Sequence, residues 1–421
     1  MYRGILLFMG VLINANNIFS IKIYVPSQCA SIQKAIDLAN DSDQIIVEPG
    51  IYKENLMITK AICLYSKFML NGDTSYISKT IIDGNLIGSV ITIKSMNGKE
   101  CTVSGFTITH GYSKNLYYDK GLTLGGGSGV YIESSCPKLE HLRIVDNKSP
   151  YDGGGAYIKG PASPVFNNIE FIGNVADRNG GAFYCYNASP SFDNCMFKHN
   201  TSGNSGGACF FSISSPVMYN CCFTQNMAGS NGGAINYYCN NSLPAIIGNV
   251  TIVNNTASGK GGGIYFTGLS SSGCPDVVIA NSVIWNNKIE NLFSDADFRI
   301  KISQTVLNGS KVKDQNLIIF ENIINFDPLL NNMLVPSDSS LCIDAANPEF
   351  INKTRIVIGY APDIGCFEST FIKKTQKSAV LPSNKKIINF ETIQKSKKIG
   401  RLDTVKLVKP KPIKVYPKPF K

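Results

Sequence analysis

Apolar and polar positions repeat every 26 residues through the middle of this chain. A glycine followed by small and apolar residues marks the start of each repeat, and a bulky apolar residue three positions before an asparagine marks its middle. The glycines are Gly129, Gly155, Gly181, Gly207 and Gly233, with a sixth copy at Gly262, and the asparagines are Asn147, Asn174, Asn200, Asn226 and Asn255. A repeat of this length without helical periodicity predicts a solenoid. Its units must stack, because each is too small to bury its own apolar face.

Within each repeat, apolar and polar residues alternate on either side of a corner asparagine, which is the period-2 pattern of β-strands. Three apolar columns result: Phe166, Phe192 and Met218; Ile169, Cys195 and Cys221; Phe171, Phe197 and Phe223. The corner asparagines are Asn168, Asn194, Asn220, Asn249 and Asn281. Asparagine suits a corner because it tolerates left-handed backbone.

These patterns predict an all-β fold, a single-stranded parallel β-helix. About 26 residues per turn fits three short strands and three turns, with successive turns ~4.8 Å apart. We take the hand as right-handed, because β-crossover connections almost always are. At Gly181 we expect a positive φ, which glycine adopts without strain.

The Gly-Gly-Ala-apolar and Phe-x-x-Asn markers resemble the repeat of the chlamydial polymorphic outer-membrane proteins and of the wider right-handed β-helix, pectin-lyase-like superfamily. The opening residues 24–54 resemble those of many secreted bacterial β-helix proteins, and three segments resemble their closing part: 327–329, 342–345 and 363–368. The resemblance covers roughly residues 22–369. It implies a fold, but one fold can carry unrelated functions.

The N-terminal segment is typical of a secretory signal, since one positive charge precedes a short apolar run and polar residues lead to Ser20. The run is too short to span a bilayer. The alternative is an apolar first strand, because no clean small-x-small cleavage site is present. We therefore expect a signal peptide at residues 1–20, the β-helix at 21–369 and a separate tail at 370–421.

Residues 31–40 carry the clearest helical pattern in the chain. Ile32, Ala35 and Ile36 share one face, and Ser31 is placed to cap the start. Such a helix would plug the open N-terminal end of the solenoid and cover strand edges that promote aggregation. We expect the core to be capped at both ends.

The positive charge of the chain lies in its tail. Residues 371–421 hold 15 Lys and Arg against two acidic residues, a net of +13, so the chain's +10 leaves residues 1–370 at −3. Three predictions compete for this tail: a disordered spacer, an arm that contacts an anionic surface, or a remnant of a type IX secretion sorting signal, which Val415 to Phe420 resembles. Nucleic-acid binding is disfavoured, since interleaved aromatic residues are missing.

Thirteen cysteines are an odd number for an exported protein. Cys195 and Cys221 would stack on adjacent turns, either as a disulfide or as buried thiols, with Cys222 beside them and facing outward. Cys342 and Cys366, in the closing segments, are the pair we expect to be bridged. Only three histidines and no Cys-x-x-Cys are present, which argues against zinc.

The superfamily raises the question of polysaccharide cleavage, but the signatures of polygalacturonases, pectate lyases and pectin methylesterases are absent. The single tryptophan, Trp285, lies in a repeat marker. A lyase with a scattered site would use Lys159 or Arg178 as base and carboxylates for calcium. Stacked ion pairs on adjacent turns explain the charged residues more simply. The expected pairs are Glu133 with Lys159, Asp152 with Arg178, and Arg143 with Glu170.

Several tyrosines surround the Gly-Gly strand, and outward members could stack against sugar rings while inward ones join the core. They are Tyr151, Tyr157, Tyr184, Tyr186, Tyr237 and Tyr238. His199 is expected to be a plain turn residue.

We predict an exported, surface-associated bacterial protein, secreted or at the outer membrane, that binds or adheres to glycans or surfaces as a monomer. The alternatives are a polysaccharide lyase or hydrolase, with calcium if a lyase, and a purely structural role. No residue is assigned a catalytic, cofactor-binding or metal-binding role. A groove with Lys or Arg beside clustered carboxylates would favour an enzyme, and a convex ladder with an aromatic strip would favour a binder.

Overall fold

The computed structural model describes residues 20–94, 96, 98–113, 117–119, 122–124, 126–239, 244–268, 276–347 and 362–368. The predicted tail and the predicted signal peptide, apart from Ser20, lie outside these residues. In the described part of the chain, no helix has both the length and the apolar character needed to cross a membrane.

The described chain is a right-handed parallel β-helix, as the repeat predicted. Its largest sheet, sheet 1, is bent along a line of corners into two halves. The first half stacks Lys22–Val25, Gln44–Val47, Cys63–Ser66, Thr102–Ser104, the first parts of Lys138–Val145 and Val165–Ile172, Ser191–Asp193, Val217–Tyr219, Ile246–Gly248, Val277–Ala280, Ile300–Ser303 and Ile318–Glu321. The second half stacks Gly50–Lys53, Thr80–Asp83, Thr107–Thr109, the last parts of the same two long strands, Met196–Lys198, Cys222–Thr224, Thr251–Val253, Val283–Trp285 and Val306–Leu307. The twelve strands of the first half define about eleven turns, as expected.

Two further sheets close the solenoid. Sheet 2 stacks Leu56–Ile58, Ile91–Lys94, Val130–Glu133, Ala156–Lys159, Phe183–Tyr186, Cys209–Ser212, Ile235–Cys239, Ile264–Gly268, Leu292–Ser294 and Ser310–Val312. Sheet 3 has two-residue strands: Lys148–Ser149, Val175–Ala176, Thr201–Ser202, Met227–Ala228 and Thr256–Ala257. An antiparallel pair, Tyr117–Asp119 and Leu122–Leu124, and four short helices, α1 (Ile32–Leu38), α2 (Phe68–Asn71), α3 (Ser75–Lys79) and the 3-10 helix Gln315–Leu317, complete the elements.

A regular turn contains four strand segments rather than the three predicted. The chain bends inside sheet 1 at a corner asparagine, and this bend divides one expected strand into two. All five predicted corner asparagines have φ between 51° and 54°, the left-handed region. The prediction of asparagine corners is therefore confirmed, and the strand count per turn is corrected.

The predicted inward columns form the core. Every one of their nine side chains is at most 2% exposed. Phe197 illustrates the stacking: its ring centroid lies 4.8 Å from that of Phe171 and 4.4 Å from that of Phe223, with planes within 3° of parallel. Identical side chains one turn apart thus pack face to face along the solenoid axis.

A buried ladder of asparagines lies at the corner between sheets 1 and 3. The Nδ2 group of Asn200 donates to Asn226 Oδ1 at 2.9 Å and to the carbonyl of Phe171 at 2.9 Å, and its backbone N–H donates to the same Oδ1 at 3.0 Å. The side-chain bonds continue through Asn147, Asn174, Asn200, Asn226, Asn255, Asn287 and Asn291. The ladder satisfies polar groups that the tight corner would otherwise leave buried without partners.

The glycines of each Gly-Gly pair have different roles, which corrects the expectation for Gly181. The first glycine, Gly180, has φ +64°, whereas Gly181 does not have a positive φ. A Cβ on Gly181 would lie 2.3 Å from the carbonyl oxygen of Gly207 and 2.5 Å from that of Thr201. Gly181 is therefore required by the close approach of the next turn.

Helix α1 covers the N-terminal end of the core. Ser31 is its N-cap, and the Ser31 side chain accepts a hydrogen bond from the Lys34 N–H at 3.2 Å. The Glu54 carboxylate accepts the N–H groups of Ile32 and Gln33 at 2.9 and 2.8 Å. Ile32, Ala35 and Ile36 are buried, so the predicted cap is confirmed.

The closing segments lie against the side of the solenoid, not across its end. Cys342, Ala346 and Ile364 pack on Val253, Val283 and Val306, which point outward from the second half of sheet 1. The second cap that we expected on the core is therefore not formed by the described closing segments, which cover the outer face of sheet 1. An apolar outer column in sheet 1 gives them a lateral surface to bury.

The cysteine pairings differ from the main expectation. Cys342 and Cys366 are thiols and not the expected disulfide, because the Cys342 side chain packs in the apolar cluster beneath the segment. Cys195 and Cys221 are also thiols in the core, which matches the buried-thiol alternative. Cys239 is disulfide-bonded.

Candidate functional site

The charged residues proposed for a lyase form the three stacked ion pairs that the repeat predicted. Their nitrogen–oxygen distances are 3.9 Å for Lys159 with Glu133, 3.9 Å for Arg178 with Asp152 and 2.9 Å for Arg143 with Glu170. The first pair lies on sheet 2 and the last on sheet 1, so they do not converge on one site. Among the described residues, no group of three or more His, Cys, Asp or Glu side chains could hold a metal ion.

An aromatic ladder runs along the outer face of sheet 2. Tyr131, Tyr157, Tyr184 and Phe210 stack in sequence, with centroid distances of 5.8, 5.0 and 5.4 Å and planes within 16° of parallel. Because each ring covers a face of the next, the two middle rings, Tyr157 and Tyr184, have both faces covered and offer none to a sugar. The ladder therefore stabilises the sheet, and the geometry does not support sugar stacking on these two tyrosines.

The other tyrosines and the histidine divide as expected. Tyr237 is buried in the core, whereas Tyr151, Tyr186 and Tyr238 are partly exposed. His199 has φ 55° and is a turn residue.

The ladder is interrupted at Asn236 and resumes at Tyr265 and Phe293, where a cleft of about 1020 Å³ opens. We call it the sheet-2 cleft. It is lined by Tyr238, Lys260, Thr267, Gly268, Phe293, Asp295, Asp297, Ser310, Lys311, Val312, Lys313 and Gln315. Here the planes of Tyr265 and Phe293 are tilted by 47°, so the rings no longer cover each other face to face.

Asp295 is the most firmly held polar group in the cleft. The Tyr265 hydroxyl contacts its two carboxylate oxygens at 3.0 and 2.9 Å, and Lys260 Nζ lies 3.1 Å from Oδ2. The same ammonium group lies 4.6 Å from the centroid of Phe293, within cation–π range. One lysine thus links the carboxylate to an aromatic surface.

These contacts set the charges in the cleft. Burial alone would raise the pKa of Asp295, but hydrogen bonds from Tyr265 and Lys260 outweigh it and lower the pKa. The hydrogen bond to Asp295 raises the pKa of Lys260. At neutral pH the pair is therefore a carboxylate and an ammonium ion, and neither group is set up to exchange a proton.

Sequence patterns did not identify this cleft. The glycine spacing rises from 26 to 29 residues before Gly262 because three residues are added between Tyr238 and Ile246. Lys260 follows in a connection of regular length, and Asp295 lies beyond the last Gly-Gly copy. The available signal was this break in spacing, together with aromatic residues at outward positions 265 and 293. The interruption of the repeat marks the site.

The fold and the cleft define the class of the molecule: a parallel β-helix protein with a lateral, partly aromatic, charged cleft. The repeat model described as the Chlamydia polymorphic membrane protein repeat matches residues 168–186 and 249–267. This match confirms the resemblance of the repeats. A search of curated proteins gave no match.

Solved structures with similar topology include pectin-acting proteins. Pectate lyase Pel9A is 14% identical, with 84% of this chain and 97% of that chain covered and a TM-score of 0.43. Pectin methylesterase PemA from Erwinia chrysanthemi is 13% identical, with coverages of 71% and 93% and a TM-score of 0.39. For the carrot pectin methylesterase, the identity is 9%, the coverages are 74% and 86% and the TM-score is 0.33.

Proposed function

We propose that this protein binds glycans through the sheet-2 cleft, as an exported, surface-associated β-helix protein. The observation that supports binding is the arrangement around Asp295: a fixed carboxylate and ammonium pair beside the partly exposed rings of Phe293 and Tyr238. Aromatic surface with a few convergent polar groups is the usual composition of a ligand site. Sugar rings offer both apolar faces and hydroxyl groups to such a site.

The charge of the cleft favours an acidic ligand over a basic one. Three lysines and two aspartates line it, which gives a formal charge of +1. Lys260 is paired with Asp295 at 3.1 Å and Lys311 with Glu290 at 2.8 Å, whereas Lys313 at the rim forms no ion pair with any residue that the structure describes. Acidic glycans should therefore be retained more strongly than neutral ones, and more so at low salt.

Catalysis by a lyase or hydrolase is the alternative, and the charges of the cleft argue against it. A lyase would need an unprotonated base, whereas the pKa of Lys260 is raised. A hydrolase would need a protonated acid, whereas the pKa of Asp295 is lowered. Calcium binding is retained only as part of this alternative.

The surface location is also a proposal. Its support is the match of two segments to the repeat of a membrane protein. We propose that the protein acts as a monomer and that its basic tail contacts an anionic surface. Protease treatment of intact cells, with a cytoplasmic protein as control, would test this; a chain that is degraded only after lysis would refute surface exposure.

The decisive experiment incubates the purified full chain with neutral and acidic polysaccharides and follows both retention and released unsaturated or reducing ends. We expect retention without release, and retention should fall on the order of tenfold in Phe293→Ala, because loss of an aromatic anchor typically costs more than about 1 kcal/mol. Phe320→Ala is the matched control, since Phe320 is a phenylalanine on sheet 1 that is 47% exposed and lies outside the cleft. Fragment release by the wild type would replace the proposal with an enzyme, and equal retention by both variants would remove the cleft as the site.

A further inference from the structure

The closing segment at residues 362–368 is fastened to the outer face of sheet 1 by backbone contacts. Gly365 N–H donates to the carbonyl of Asn281 at 2.9 Å, and Cys366 N–H donates to Thr251 Oγ1 at 3.1 Å. Thr251 is the register partner of Cys222 on the adjacent turn. Cys366 is therefore held directly over the strand neighbouring Cys222.

The two cysteines meet across this junction. Cys222 points outward from the solenoid, yet it is only 2% exposed, and the closing segment meets it through the Cys366 side chain. The hydrogen bond to the Cys366 thiol, together with burial, raises the pKa of the Cys222 thiol well above its usual value. The thiols are thus in contact, with Cys366 on the more accessible side.

We propose that Cys222 and Cys366 are a disulfide-forming pair that covalently fastens the closing segment to the solenoid. The oxidant is a small or protein disulfide. The Cys366 thiolate attacks one of its sulfurs and expels the first thiolate; the Cys222 thiolate then attacks the Cys366 sulfur and expels the second. The two protons lost by the protein thiols are taken up by the two expelled thiolates, and two electrons pass from the protein sulfurs to the oxidant, which leaves as two thiols.

The order of attack follows from exposure. Cys366 is half-buried and can reach a dissolved disulfide, whereas Cys222 is covered and can react only with a sulfur already placed above it. Cys195 and Cys221 also lie against each other, but both are inside the core. They form a control pair, because their thiols also contact each other but are not accessible to a dissolved disulfide.

The disulfide would fix one wall of a second cleft. Phe367, next to Cys366, lines a cleft of about 800 Å³ together with Trp285 and Lys198 of sheet 1 and Asp327 and Leu330 of the closing part. A bond at Cys366 would hold Phe367 against the sheet. The geometry of this cleft would then depend on the oxidation state of the protein.

The test treats the full chain with oxidised glutathione, alkylates remaining thiols and maps peptides without reduction. We expect a cross-link between the peptides of Cys222 and Cys366 that is lost in Cys222→Ser and in Cys366→Ser. Oxidation should also raise the melting temperature by on the order of 5 °C in the wild type and not in Cys366→Ser.

Because Cys221 and Cys222 are adjacent in sequence, the serine variants decide which sulfur reacts. A cross-link that survives in Cys222→Ser, a bond from Cys366 to Cys342, or Cys366 carrying only glutathione would each overturn the proposal. Cys195 should become alkylated only after unfolding, and its modification in the folded protein would show that access does not discriminate between the pairs. If Cys222→Ser fails to fold, Cys222→Ala replaces it, and Cys366→Ser, whose side chain lies outside the core, remains the second variant.

Discussion

Replacing Phe197 by alanine should destabilise the solenoid more than any surface change. The Phe197 ring is fully buried and stacked between Phe171 and Phe223 at 4.8 and 4.4 Å. Truncating a buried phenylalanine costs about 3–5 kcal/mol, and each lost aromatic pair adds about 0.5–1.5 kcal/mol. Because these contributions overlap, we expect about 4–6 kcal/mol from the two together.

The measurement is the free energy of unfolding in guanidinium chloride, followed by circular dichroism and by Trp285 fluorescence. Met227→Ala is the matched control, since Met227 is a large apolar side chain on the neighbouring sheet that is 51% exposed. It should cost less than about 0.5 kcal/mol. Because each repeat of a solenoid contacts only its neighbours, different parts of it can unfold separately. The circular dichroism and fluorescence transitions are therefore to be analysed separately. A difference below about 1 kcal/mol between the variants would refute the assigned register and the stacking argument.

Three further perturbations test other parts of the structure. Asn200→Ala removes the acceptor of the Asn174 N–H and Nδ2 groups, so it should cost about 3 kcal/mol in denaturant unfolding; a loss under about 1 kcal/mol would contradict the ladder's role. Gly181→Ala should cost about 1–3 kcal/mol through the clash with the next turn. This should exceed the cost of Gly50→Ala, because Gly50 has no positive φ and its Cβ would meet only the edge of the Tyr52 ring at 3.3 Å; the reverse order of melting temperatures would refute this. The pKa of Asp295 is lowered in the folded protein, so the ionised carboxylate stabilises the fold. This contribution to the free energy of unfolding is fully present above about pH 4 and is lost as the pH falls through the lowered pKa. An NMR titration of Asp295 with a midpoint above about 4 would contradict the lowered pKa.

The fold was predictable because every turn repeats the same physical requirements. Inward columns such as Phe171, Phe197 and Phe223 alternate with polar residues, and Asn194 adopts the left-handed corner expected of it. Charged neighbours on adjacent turns are expected to carry opposite charges, and this requirement correctly paired Arg143 with Glu170. A periodic sequence therefore specifies register as well as fold class.

Conformational detail within a turn was less accessible to sequence reasoning. Gly180 and Gly181 are the same residue type in the sequence, but Gly180 is required for its positive φ, whereas Gly181 is required because it has no side chain. Likewise, nothing in the spacing of Cys342 and Cys366 shows that Cys366 approaches Cys222, because that contact depends on the closing segment lying along the side of the solenoid. Both features depend on contacts between turns or segments that the repeat does not describe.

The stacking that makes this fold predictable also determines where a ligand can bind. In a regular stretch, identical outward rings such as Tyr157 and Tyr184 cover one another, so the aromatic surface is consumed by the sheet itself. A ring becomes available where the repeat is broken, as at Phe293, which follows the buried Asn236 in the ladder and lies beside Lys260. Extending the ladder by Lys311→Tyr should cover the open face of Phe293, because Lys311 is its exposed register partner on the next turn. Glycan retention should therefore fall further in Lys311→Tyr than in Lys311→Gln, which removes only the charge. Equal retention by the two folded variants would show that the open face of Phe293 is not what creates the site.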